Sequence, residues 1–180
     1  MNTDEQVITQ TRKWVVDVVV GCNFCPFAAT PVKRDTIHYQ VDRATDLEGC
    51  LTALLAEWHR LDAHPEIENT LLIFPDAYPE FTDYLDLVAM AEDLLAAEDY
   101  EGTYQVAGFH PDYCFGDAPP DDPANYTNRS IYPMLHLIRE EGLEEVLAHY
   151  KDPDGIPDRN IAFAREKGLA YLKMLRAACL

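Results

Sequence analysis

GFHPDYCFGDAPPDDPANYTNRSIYPMLHLIRE, residues Gly108 to Glu140, is the stretch on which the reading of the fold turns. It opens where the apolar run Tyr104 to Phe109 ends, and that run reads as a strand. It closes in Met134 to Glu140, which reads as a helix. Between them lies a long irregular segment that carries His110 and an Asn/Arg/Ser cluster. A loop of that length in a compact domain is usually functional or disordered. Its aromatics, Tyr113, Phe115 and Tyr126, argue against disorder.

Upstream of this stretch, strand and helix signals alternate. Thr3 and Gln6 have capping-box spacing, and Val7, Thr11, Trp14, Val15 and Val18 follow at helical intervals, so a helix is predicted over about 4–20. Gly21 is a natural stop. Ile37, Tyr39 and Val41 alternate with polar residues as a strand with one buried face. Thr45 and Glu48 repeat the capping-box spacing ahead of an apolar stripe from Leu47 to Leu61, which ends before His64-Pro65. Leu71 to Phe74 reads as a strand covered on both faces. Phe81, Tyr84, Leu85, Val88 and Leu95 carry the next helix, with Pro79 suited to its first turn. Downstream, Leu143–Tyr150 and Pro157 to about Ala178 read as further helices.

Strand, helix, strand, helix, strand at these lengths indicates βαβ units. The expected fold is α/β. A small, mostly parallel sheet of three or more strands carries packed helices, and the C-terminal third is helical. No linker or repeat divides the chain, so residues 1–180 are expected to form one domain.

The chain holds 14 basic and 32 acidic residues, a net charge of −18. Phosphate backbones and anionic membrane surfaces would be repelled, so neither nucleic acid nor membrane is expected as a partner. No run approaches the ~18 apolar residues of a spanning helix. MNTDEQ lacks the basic and apolar regions of a signal peptide, which places the protein in the cytoplasm. The five cysteines are therefore expected as reduced thiols.

In open α/β sheets, ligands sit outside the carboxyl ends of the strands, here near Asp42, Asp76 and Phe109. His110 is the candidate acid/base, and Asp112 the group that orients or activates. Arg129, among Asn125, Asn128 and Ser130 and close to Tyr113, is the candidate anion contact. Each residue has a plain structural alternative: a loop stitched together by its own Asp and Asn side chains, or Arg129 paired with Asp121, Asp122 or Glu140. On a helix, His136 and Glu140 would share a face at i,i+4 and complete a small N/O metal site. Cys22-x-x-Cys25 follows a helix, whereas a thioredoxin-type pair follows a strand. Cys25 alone is the better candidate, as a nucleophile, against the commoner fate of a packed small hydrophobe.

Several segments together resemble a bacterial family catalogued as domain of unknown function 1415. They are Cys25-Pro26-Phe27-Ala28, Phe109-His110-Pro111-Asp112-Tyr113, Ala118 to Ser130, Tyr132 to Glu140, and Ile156 to Ile161. The resemblance covers essentially the whole chain. Cys22, Cys114 and Ile131 depart from the family pattern. The resemblance implies no activity, so the functional expectation rests on the residues. It is an enzyme performing hydrolysis or group transfer on a small anionic metabolite at the sheet edge. The alternatives are a non-catalytic ligand- or protein-binding module, and a metal-dependent enzyme.

Overall fold

The capping box at Thr3 forms: the Gln6 amide donates to the Thr3 hydroxyl at 3.3 Å, and the Thr3 amide to the Gln6 side chain at 2.9 Å. Helix α1, Asp4–Trp14, follows in the computed structural model, which describes residues 2–180. It runs on as a π-helix over Val15–Val20, a wider winding that is rare in this length. The predicted span of 4–20 holds, but the winding changes at Trp14. A short α2, Ala29–Arg34, had no signal in the sequence reading.

Strand β1, Ile37–Val41, leads to α3, Leu47–Ala63. The cap of α3 is Asp46, whose carboxylate accepts from the Gly49 amide at 2.8 Å, rather than the Thr45/Glu48 pair. Strand β2, Asn69–Ile73, and helix α4, Phe81–Ala97, follow, then strand β3, Tyr104–Phe109.

Met134–Arg139 is a strand, β4, and not a helix. Its side chains alternate between two covered faces: Met134 packs into one core and Leu135 and Leu137 into the other. A strand buried on both sides loses the apolar/polar alternation that would mark it. Helix α5 starts only at Glu140 and runs to Ala148. The last predicted helix is two, α6 (Ile156–Lys167) and α7 (Leu169–Ala177), broken at Gly168 with φ +82°.

This strand corrects the sheet. The four strands lie in the order β1-β2-β4-β3. Only β1 and β2 pair in parallel; β4 is antiparallel to both β2 and β3. The sheet is mixed, because the long loop after β3 lets the chain return as β4 between β2 and β3. Strands β1, β2 and β3 still run the same way. Ile73 and Phe109 both pair with Met134, so three strand ends and the start of β4 share one edge.

Helices cover both faces. Leu54, Trp58 and Leu61 of α3 and Tyr84, Leu87 and Ala91 of α4 meet Leu72, Leu135 and Leu137. On the other face Val7, Trp14, Val15 and Val18 meet Tyr39, Leu71, Ile73 and Met134, with Ala164 and Leu172 from α6 and α7. Each fully buried side chain of this size contributes about 1.5–3 kcal/mol. Among the described residues, no helix is long and apolar enough to cross a membrane.

Candidate functional site

The segment from His110 to Pro133 returns over the shared strand edge, stitched by its own polar groups. His110 is buried, with Nε2 donating to the Tyr78 carbonyl at 2.8 Å and Nδ1 accepting from the Asp112 amide at 3.0 Å. These partners set the Nε2–H tautomer. Burial lowers its pKa, against the opposing pull of the Tyr78 carbonyl and Asp112. Both ring nitrogens are committed to backbone, so His110 fixes the exit from β3 and has no lone pair left for a substrate. Asp112 leaves its carboxylate exposed.

Asn125 is fully buried. It accepts from the Phe115 amide at 3.0 Å and donates to the Pro119 carbonyl at 3.0 Å, closing the loop on itself. Asn128 passes its carbonyl to the His110 amide at 3.4 Å. Ser130 donates to the Tyr132 carbonyl at 2.5 Å. Tyr113 packs its ring on Phe81, 5.3 Å between centroids, and gives its carbonyl to Arg129. Asp122 caps the single 3-10 turn, Pro123–Thr127, and pairs with Arg165 of α6 at 2.8 Å.

Arg129 is 9% exposed. Nε donates to the Tyr113 carbonyl and Nη2 to the Pro120 carbonyl, both at 2.9 Å, while Nη1 has no partner among the described residues. Its guanidinium carbon lies 5.0 Å from the centre of the Tyr126 ring. The Trp14 indole donates to the Arg129 carbonyl at 3.1 Å. No carboxylate reaches Arg129 within 4 Å, so the expected alternatives of Asp121, Asp122 or Glu140 as its partner do not form.

Sequence reading missed Arg176. It lies on α7, which was read only as packing. Its Nε donates to the Ser130 carbonyl at 2.7 Å, one residue from Arg129. Burial lowers its pKa; Tyr126 and Asp112 oppose the shift, and Arg129 adds to it. The signal was present in composition. Nine arginines face 32 acidic residues, yet only Arg12, Arg34, Arg43, Arg60 and Arg165 form ion pairs within 4 Å. Arg129, Arg139, Arg159 and Arg176 bond carbonyls instead.

The remaining candidates lie apart. His136 is on β4, opposite Leu71 and Ala107, and its Nε2 donates to Asn69 Oδ1 at 3.1 Å. Glu140 starts α5, so the two do not share a helix face. Among the described residues, no three His, Cys, Asp or Glu side chains group to hold a metal ion. Cys25 sits in the turn before α2, packed against the core, with burial raising its pKa and the amides of Phe27 and Ala28 and the charge of Arg159 opposing. Arg159 holds that turn through the Asn23 carbonyl at 2.6 Å and Tyr150 Oη at 3.1 Å, and Asn160 through the Phe24 carbonyl at 2.6 Å. A cleft of about 560 Å³ opens beside it, lined by Phe27, Glu145, Val146, His149 and Tyr150.

Residues 6–174 match the family described as protein of unknown function (DUF1415). The chain belongs to that family. The match runs from α1 through α7, so it takes in the whole sheet and both arginines at its edge except Arg176, which lies two residues beyond it. No curated protein and no solved structure matches this DUF1415 chain.

Proposed function

We propose that this protein binds a small anionic metabolite at the carboxyl edge of its sheet, with Arg129 as the principal contact. The observation that carries the reading is a nine-tenths-buried guanidinium with a free Nη1 and no carboxylate partner, in a chain of net charge −18. A buried cation without a counter-ion is costly, and an oxyanion ligand supplies one. Hydrolysis or group transfer at this edge rests on Asp112, the carboxylate left exposed there, with His110 holding the loop.

The test is a thermal-shift series on the full chain with phosphate, acetate and succinate against neutral analogues of similar size. Stabilisation by anions only, absent in an Arg129→Gln variant whose circular dichroism is unchanged, is the expected result. Equal responses to anions and neutral analogues overturn the reading.

A second reading rests on Cys25, where two backbone amides and Arg159 face the thiol beside the 560 Å³ cleft. Group transfer through a thiolate would use those groups to hold its charge. Burial works against it, and iodoacetamide labelling of the native chain decides the matter. A Cys25 that labels only after unfolding ends this reading.

A further inference from the structure

We propose that Arg129 and Arg176 together form a two-guanidinium clamp for a phosphoryl group, and that Asp112 is its resident counter-ion, displaced when the ligand enters. The inference rests on the anion-binding reading above and names its ligand class and its second arm.

Both arginines are oriented by the loop itself. Arg129 spends Nε and Nη2 on the carbonyls of Tyr113 and Pro120, and Arg176 spends Nε on that of Ser130. These bonds fix the planes of the two guanidiniums and leave Arg129 Nη1 and both Nη atoms of Arg176 without carbonyl partners. Tyr126 lies at both, with its ring 5.0 Å from Arg129 Cζ and its hydroxyl facing Arg176. A fixed guanidinium loses less freedom on binding than a mobile one.

The charges do not balance as they stand. Two like charges face each other, and Asp112 lies in their field without an ion pair inside 4 Å. The other acid close in sequence, Asp122, is already held by Arg165 at 2.8 Å and by the Ala124 amide. One exposed carboxylate therefore serves two guanidiniums. A phosphate monoester carries about −1.5 to −2 charge and three acceptor oxygens, which suits two positive charges and donors arriving from two arms. A monocarboxylate brings one charge and two coplanar oxygens and would leave one arm unmatched.

Inorganic phosphate, titrated into the full chain by calorimetry with Trp14 fluorescence as a second signal, tests the clamp. The variants are Asp112→Asn, Arg176→Lys and Arg129→Lys, each checked by circular dichroism. Asp112 is exposed, so its variant is expected to fold. Removing the internal competitor should tighten phosphate binding by about three- to fivefold, the scale of one exposed charge pair. Arg176→Lys should weaken it by roughly tenfold or more, because an ammonium cannot repeat the guanidinium geometry. Unchanged affinity in Asp112→Asn or in Arg176→Lys overturns the clamp. If Arg129→Lys alone abolishes binding, the clamp falls and the anion reading stands. Binding of acetate or succinate without phosphate has the same meaning. If no anion binds any form, both fall.

Discussion

The side chain of His110 donates from Nε2 to the backbone carbonyl of Tyr78 at 2.8 Å. That bond joins the exit of β3 to the turn before α4, where Tyr78 holds the left-handed conformation at φ +54°. A non-glycine residue there is strained, and the His110 bond helps to hold it. Replacing His110 by Ala removes both ring bonds and leaves the Tyr78 carbonyl unpaired. The expected loss is about 1–3 kcal/mol, read as a lower urea midpoint. A variant as stable as the parent would show that the bond is not structural.

The acid limb of the stability curve should carry a histidine signature. Burial pushes the pKa of His136 down to about 4 from 6.5, so the unfolded chain binds a proton that the native chain refuses. Stability from this residue is therefore complete above about pH 6.5 and is lost as pH falls from there toward 4, by on the order of 2–3 kcal/mol. Urea denaturation at pH 7.5, 6.5, 5.5 and 4.5 measures it, with His136→Gln as the reference. The same slope in both proteins would sink the assignment.

The edge of the sheet was legible in the sequence, and the pairing within it was not. Tyr104–Phe109 is the predicted third strand, and the loop after it does return over the strand ends, because Phe109 and Ile73 both end against Met134. β4 was hidden because Met134, Leu135 and Leu137 are all buried, on opposite faces, and a doubly covered strand has no polar alternation to read. That one reversal turned a mostly parallel sheet into a mixed one and dissolved the His136/Glu140 pair. His110, Asn125 and Arg129 were correctly picked as unusual, but a linear sequence cannot say that their polar atoms end on carbonyls of Tyr78, Pro119 and Tyr113. Arg176 was out of reach for another reason: it lies 47 positions from Arg129, on a separate helix.

All five cysteines are free. A thiol titration of the unfolded chain without reductant is expected to count five. In the native chain, Cys22, Cys50 and Cys179 are buried, and burial pushes the Cys50 thiol up to about 11, so these three should resist alkylation at pH 8. Cys114 is partly accessible and should label first. Rapid labelling of Cys50 in the folded protein would show that α3 opens away from the edge.

Gly108 is where β3 passes Tyr84. A Cβ there would stand 2.4 Å from the Tyr84 hydroxyl oxygen and 3.2 Å from its ring carbon Cζ. Tyr84 has little room to retreat: it is 1% exposed, its hydroxyl donates to the Met134 carbonyl at 2.8 Å, and the ring of His110 lies 5.0 Å away. Gly108→Ala is thus expected to cost roughly 1–3 kcal/mol by overpacking, along with the Tyr84–Met134 bond. Tyr84→Phe removes the atom that the new methyl meets first, at the cost of the same hydrogen bond. The two changes should therefore be non-additive, with Gly108→Ala costing less in the Tyr84→Phe background. A double-mutant cycle by urea denaturation gives the coupling, expected between 0.5 and about 2 kcal/mol. Equal costs in both backgrounds would mean that the strand shifts to accommodate the methyl, and that Tyr84 does not set the approach of β3 to α4.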